Sequence, residues 1–302
     1  MKVGFSTLAC PGWDLEKIVT QGSALGYDGV EIRGLRGELD LPLVPEIAAQ
    51  PERTRALFAE HKLELLCLGC SATLDAKKRT DLAKQKASLI EHIELAGALG
   101  CPFVRIIAGE VQPFDHERAV ISRVASALAE MVPVASRHGV TILVENGGDL
   151  RGSEALWFLV DAVSHPSVRA CWSQFHGAAI GERATTSIPR LGQKMEMVHL
   201  CDGTFEGGLL SNYASLGEGT TEIDRQIQFL RGIAFDGCLV FEWPKLWVHS
   251  LGEPEEVLPT AIEYIRSQLA FQQKVLTAYK TDKRPAKFAA RSSAERSPGA
   301  SG

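Results

Sequence analysis

No run of about 18 consecutive apolar residues occurs in the 302-residue chain, so no membrane-spanning helix is expected. The first ten residues, MKVGFSTLAC, carry one charge and an apolar run too short for a secretory signal. Positive charge is not in excess: the formal net charge is −5, which argues against a nucleic-acid-binding protein. Cysteines are few and odd in number. Cys10, Cys67, Cys70, Cys101, Cys171, Cys201 and Cys238 are scattered, mostly in apolar strand-like runs. They read as reduced thiols of a cytoplasmic protein and not as a disulfide framework. Cys67 and Cys70 form a CxxC, but within LELLCLGCS, a strand running into a loop. A redox CxxC normally opens a helix. Nor does the first strand lead into GxGxxG, since STLACPGW follows it, and this removes the dinucleotide-binding fingerprint.

What is present is a soluble, core-forming composition, 45% hydrophobic and 23% charged. The carboxyl-terminal stretch differs. Residues 280–302 hold six Lys/Arg against two Asp/Glu, are rich in Ser, Ala, Pro and Gly, and have Phe288 as their one large apolar side chain. They are expected to form a disordered basic tail.

Before that tail, short apolar runs alternate eight times with longer amphipathic ones. The strand candidates are Val3–Ser6, Gly29–Ile32, Glu64–Leu68, Phe103–Ile107, Thr141–Glu145, Val168–Trp172, Met197–Leu200 and Leu239–Glu242. Most show little alternation, as expected of parallel strands buried on both faces. Thr80–Leu99 repeats apolar residues at helical spacing and stops on Gly100. Asp115–His138 stops on Gly139, Pro254–Ala278 closes the series, and Ala184–Gln193, which contains Pro189, is the weakest helix. Glycine recurs just ahead of strands, in GYDGVEI, GCPFVRI, GVTILVE and DGCLVFE. Eight strand–helix units favour an α/β fold of the (β/α)8 TIM-barrel type, one domain over residues 1–279, with an open doubly wound sheet as the alternative.

In such a barrel the chemistry sits at the carboxyl ends of the strands. The polar residues there are Glu31 and Arg33 after strand two, Glu145 and Asn146 after strand five, Ser173 and His176 after strand six, His199 and Asp202 after strand seven, and Glu242 after strand eight. Strands five to eight are neighbours, so their end groups can converge. Glu145, His199 and Glu242 form a donor set for a hard or borderline divalent ion. Two carboxylates buried together are costly unless a cation or a shared proton offsets them. His61, His92, His116, His138 and His165 fall on or beside predicted helices and are expected at the surface, while His249, in WPKLWVHS, can reach a substrate.

These motifs resemble those of the sugar phosphate isomerase/epimerase superfamily, the xylose-isomerase-like TIM barrels, over about residues 1–270. The likeness rests on GYDGVEIRG, VEN, CWxxxH, VHLCDG, LGEGTTEID and FEW taken together. It implies one divalent ion, Mn²⁺, Mg²⁺ or Zn²⁺, held at the positions of Glu145, Ser173, His199 and Glu242, with Glu145 and Glu242 as the catalytic acid and base. It also implies a small carbohydrate substrate met by Glu31 and His176. Trp13, Trp243 and Arg151 lie in loops or strand ends of the same face and are further substrate-contact candidates. The family's reaction is proton transfer next to a carbonyl, as in isomerisation or 3-epimerisation of a keto sugar, and a homodimer is compatible with it.

Three positions depart from the pattern. Ser173 stands where an Asp ligand is usual, Cys201 where a Lys is common, and Arg151 where ketose 3-epimerases tend to keep a second Glu. Arg151 can favour an anionic substrate or pair with Asp149. Two alternatives accompany the leading reading. One is a lyase or dehydratase acting on a keto-inositol or 3-keto-glycoside, and the other a metal-deficient barrel that binds a sugar. An apurinic-site endonuclease is disfavoured, because the loops after strands three and four hold no His and the acidic body repels DNA.

Overall fold

The structure, a computed structural model, describes the backbone of residues 1–281 and the side chains of residues 1–271. Eight parallel strands close into a barrel: β1 (Lys2–Ser6), β2 (Gly29–Ile32), β3 (Glu64–Gly69), β4 (Phe103–Ile107), β5 (Thr141–Glu145), β6 (Val168–Ser173), β7 (Met195–Leu200) and, after the hairpin β8 (Asp202–Glu206) and β9 (Leu209–Ala214), β10 (Cys238–Phe241). The order around the ring is β1-β10-β7-β6-β5-β4-β3-β2. Closure rules out the open sheet. It leaves no unpaired strand edge in the main sheet, which is why near-continuous apolar strands are tolerated.

The helices forming the outer ring are α1 (Leu15–Ala24), α2 (Pro45–Ala48), α3 (Pro51–Glu60), α4 (Arg79–Leu99), α5 (Glu117–His138), α6 (Ser153–Val163), α7 (Gln174–Ala178), α8 (Ala184–Leu191), α9 (Ile223–Gly232) and α10 (Pro254–Thr281). Their ends follow from local chemistry. Asp14 caps α1, its Oδ1 accepting from Lys17 N at 2.8 Å. α4 and α5 end on Gly100 and Gly139, at φ of 67° and 66°. The chain then turns back so that Cys101 N and Val140 N donate to Ala96 O and Ala135 O.

Several expectations are refined. Strand β6 runs on to Ser173, and β7 begins at Met195. The expected sixth helix, Ala184–Gln193, is present as α8 (Ala184–Leu191), and a short helix not expected from the sequence, α7, precedes it, with Gly181 at φ 74° in the turn between them. His92 is buried, not at the surface: α4 presses it against the barrel, where its Nδ1 lies 2.8 Å from Ser88 O. α5 has the length and apolar content of a membrane span, but it is a core helix whose Val120, Val124, Leu128 and Ala135 are buried. All seven cysteines are free and buried. The expected tail lies outside the described residues, except that Lys280 and Thr281 finish α10.

Two cores result. The larger fills the space between strands and helices. The smaller fills the barrel lumen with Leu66, Cys67, Leu143, Cys171, Met197, Cys238 and Val240. It forms the floor on which the polar strand ends stand.

Candidate active site

Strand register decides which polar residues meet. In parallel neighbours, residues at one level point to the same face, and so does every second residue along a strand. Ser173 pairs with His199 across β6 and β7, and His199 pairs with Val240 across β7 and β10. Glu242 stands two residues beyond Val240 and faces the same way. Glu145 is level with Cys171 and with Ile107, and Arg105 lies one inward step below Ile107 on β4. Glu31 is level with Cys67. The lumen-facing side chains of β2, β4, β5, β6, β7 and β10 are thereby gathered above the apolar floor.

Their contacts form one network. Arg105 Nε donates to Glu31 Oε1 and its Nη1 to Glu145 Oε2, both at 2.8 Å. His199 Nδ1 lies 2.8 Å from Glu145 Oε1 and 3.7 Å from Glu242 Oε1. On the other edge of the ring, Nε2 comes within 2.9 Å of Glu31 Oε2. That carboxyl oxygen lies off the N–H direction, so neither atom has a true hydrogen-bond partner. His176 Nε2 stands 4.0 Å from Glu145 Oε1, with a third of its ring open to solvent. Glu31, Arg105, Glu145 and His199 are sealed, whereas the Glu242 side chain keeps 15% of its surface accessible and is the carboxylate nearest to solvent.

The charges are set by this packing. Burial alone raises the Glu31 and Glu145 carboxyls, but the Arg105 and His199 cations outweigh it and hold both below the ordinary range. Burial likewise disfavours the His199 imidazolium, yet Cys171 and the surrounding carboxylates Glu145, Glu31 and Glu242 hold its pKa well up. Glu242 goes the other way. Burial, reinforced by the charges of Glu145 and Glu31, pushes it up to about 7.

These residues suit a divalent ion. Glu145 Oε1, His199 Nδ1 and Glu242 Oε1 converge, and Arg105 engages the other oxygen of Glu145, leaving Oε1 free to turn to a metal. Beside them Ser173 Oγ is buried with no hydrogen-bond partner, the kind of orphaned polar atom that calls for an explanation. Cys171 Sγ offers a softer donor, with its sulfur, a carboxyl oxygen of Glu145 and a ring nitrogen of His199 all within 4.8 Å of one another. Metal uptake must displace protons from the raised His199 and Glu242 groups. Apparent affinity should therefore fall as pH drops through about 7. Titration calorimetry in buffers of different ionisation enthalpy should show at least one proton released per ion bound, and pH-independent affinity across neutrality would contradict this assignment.

The loops around the cluster are pinned by Asp202. Its carboxylate accepts from Gly217 N, Gly219 N, Thr221 N and Thr221 Oγ1 at 2.7–3.2 Å. This ties VHLCDG to LGEGTTEID, and Gly219 is required because a Cβ there would collide with the Asp202 carboxylate. Above the cluster the hairpin carries an aromatic wall. Tyr213 stacks on Phe175 with centroids 5.4 Å apart, and it meets the edge of Trp243 at 6.1 Å.

The other sequence candidates lie further out. Trp13 is buried, with Nε1 donating to Glu255 and Lys17 over its ring. Arg151 is exposed and donates to Gly148 O instead of pairing with Asp149. His249 is exposed. Two members of the network were not singled out from the sequence, Arg105 and Cys171. The signal for Arg105 was available, as it is the one charge inside the apolar strand FVRII. A buried charge in mid-strand demands partners.

With the geometry in view, comparison with known proteins is informative. A family model described as a xylose isomerase-like TIM barrel matches residues 19–268. An uncharacterized Mycobacterium leprae protein is 24% identical over 292 residues, which cover 89% of this chain and 98% of that protein. Among solved structures, an IolI protein with a bound zinc atom superposes with a TM-score of 0.79 at 19% identity, covering 90% of this chain and 99% of that one. L-Ribulose 3-epimerase follows at 0.76 and 18%, covering 94% and 99%. A probable 3-DHS dehydratase, AsbF from Bacillus anthracis, matches at 0.71 and 16%, covering 88% and 99%. Likeness at such identities establishes the shared barrel.

Proposed function

The chain belongs to the xylose isomerase-like TIM barrel family, and from that premise we propose that it is a divalent-metal-dependent isomerase or epimerase of a sugar or keto sugar, moving a proton on a carbon next to a carbonyl. The observation that carries this reading is the pair of carboxylates, Glu145 and Glu242, that flank His199 Nδ1 in a nearly sealed site. Glu145, His199 and Glu242 would hold the ion, with Ser173 or Cys171 beside the remaining corner. When bound, the ion supplies Lewis-acid polarisation of a carbonyl or hydroxyl oxygen.

The rest falls to the chain's own residues. Glu242, the most accessible carboxylate of the cluster, is placed to accept and return a carbon-bound proton. Glu145 is fixed by Arg105 and His199 and has little freedom to move. Its role is to hold the ion and the second proton-transfer position. Glu31 braces the far edge of His199 and the guanidinium of Arg105. Phe175, Tyr213 and Trp243 wall the mouth and would limit the access of water to the reacting carbons of a bound substrate.

The direct test is incubation of the metal-loaded protein with ketoses in heavy water. Deuterium appearing at the carbon next to the carbonyl, with mass otherwise conserved, supports isomerisation or epimerisation. Loss of water from a keto-inositol or a related substrate supports the second reading, a dehydratase or lyase. The likeness to AsbF and the accessible Glu242 carboxyl beside the cluster favour keeping that reading in the test. Binding without exchange or elimination supports a barrel that has kept only a sugar site.

A further prediction arises at the altered corner. Ser173→Asp adds a carboxylate at the level of His199. Divalent-ion affinity should rise by about 10–100-fold, a span typical of single changes in a metal site. Competition against a chelating dye measures it, and unchanged or weaker binding would show that the fourth corner is not at residue 173.

A further inference from the structure

Arg33 makes no direct ion pair among the described residues, the nearest favourable charges, Glu31 and Glu242, acting on it only at longer range. It follows β2, and its backbone is held by Thr7, whose Oγ1 accepts from Arg33 N at 3.0 Å and donates to Gly34 O at 2.7 Å. The side chain passes over Gly69, where a Cβ would collide with Arg33 Cδ and would stand 3.1 Å from Arg105 Nη2. A glycine at the end of β3 is therefore what lets two arginines share this part of the mouth. Arg33 Nη2 donates to Ser71 Oγ at 3.0 Å, but Nη1 is buried with no hydrogen-bond partner. No carboxylate among the described residues lies within 4.0 Å of the Arg33 guanidinium. Arg105 spends Nε and Nη1 on Glu31 and Glu145, and its Nη2 makes no hydrogen bond among the described residues. Trp247 from the loop after β10, half exposed, lies beyond, its ring 6.0 Å from the Arg33 guanidinium carbon.

A partly buried guanidinium with one sealed, unsatisfied nitrogen is costly unless an anion completes it. Two adjacent cations facing one space raise that cost further. We propose that Arg33, with Ser71 and the free Nη2 of Arg105 beside it, binds a carboxylate of the substrate. On this view the substrate is a keto-sugar acid and not a neutral ketose. The inference rests on the keto-sugar reading above for the rest of the substrate, but not for the anion site itself. A planar monoanion suits two free nitrogens from neighbouring guanidinia, whereas a phosphate dianion would need more donors than the site leaves unpaired. Arg33 thus acts as a specificity residue, setting the acid end of the substrate against the carboxylates that transfer protons.

The test uses the full chain loaded with Mn²⁺ and a matched pair of probes, 2-keto-D-gluconate and D-fructose, which differ at one carbon by a carboxylate against a hydroxymethyl group. Calorimetric binding should favour the acid by about tenfold or more, the size expected of a charge-assisted hydrogen bond in a desolvated site. Arg33→Met should reduce the acid to the level of fructose while leaving Mn²⁺ content unchanged, and Arg33→Lys should keep part of the preference. Absence of any preference for the acid, including binding of neither probe, overturns the inference. So does a preference that survives in Arg33→Met, or tight binding of fructose 6-phosphate in place of the acid. The two readings fail separately. Arg33-dependent acid binding with no solvent exchange at carbon leaves the anion site standing and removes the isomerase, while exchange on fructose that is indifferent to Arg33→Met does the reverse.

Discussion

Arg105→Met should destabilise the protein by about 3–5 kcal/mol, the usual consequence of stripping one partner from a buried ion network. Arg105 bonds to two carboxylates at once, and all three groups are sealed from solvent. Without the guanidinium, Glu31 and Glu145 share a low-dielectric space with only His199 to offset them. A loss of that size is a large fraction of a typical folding free energy. The effect has a defined pH dependence. In the wild type both carboxyls are held below their ordinary value of 4.5. Their contribution to stability is therefore present above about 4.5 and is lost as pH falls through the lowered folded-state values. In the variant the part of that contribution supplied by Arg105 is absent, and only the His199 part remains. Urea unfolding should show the largest gap between the two proteins at neutral pH and a shrinking gap in acid. Adding Glu31→Gln to the variant should restore part of the loss, because it removes one uncompensated charge. A gap that is small at neutral pH, or that widens in acid, would mean that Arg105 is not the counter-ion of this pair.

His199→Ala should abolish stoichiometric metal binding and lower solvent exchange into substrate by roughly 10³-fold or more, since several kcal/mol of transition-state stabilisation depend on the bound ion. The ring is the one group that both Glu145 and Glu242 approach, and it sits between their strands at the level of Ser173. Its removal leaves two carboxylates facing each other, so the variant should also bind protons more tightly and gain relative stability in acid. Metal analysis, exchange rate and acid unfolding are three independent readouts. A protein that loses activity but keeps about one ion per chain would place the ion elsewhere than on His199.

The barrel was legible in the sequence because its signals are local and repeated. Eight short apolar runs, and glycines that end α4 and α5, need only backbone geometry and burial to be read. The convergence of Glu145, His199 and Glu242 was legible for a related reason, since each is a polar residue closing an apolar strand. Arg105 was harder. It lies inside a strand, and only the closure of the barrel reveals that Glu31 and Glu145 flank it from two other strands. Cys171 was hidden because a cysteine in an apolar run looks like packing, and its register with Glu145 is a tertiary fact. The hairpin β8–β9 also escaped notice, because its partly exposed, polar strands lack the dense apolar pattern of the barrel strands. Its aromatic residues nevertheless shape the mouth. Asp202 looked like one more candidate at a strand end, and the structure gives it a positioning task instead, holding the loop at Gly217–Thr221.

In the proposed reading, the cluster between Glu145, His199 and Glu242 is a metal site serving proton transfer. Anomalous diffraction from crystals of the Mn²⁺-loaded protein, paired with metal analysis of the same sample, tests it most directly. About one ion per chain is expected, with its anomalous peak among Glu145 Oε1, His199 Nδ1 and Glu242 Oε1. Metal content below about a tenth of an equivalent that added Mn²⁺ does not restore, or a peak away from these three atoms, would contradict it.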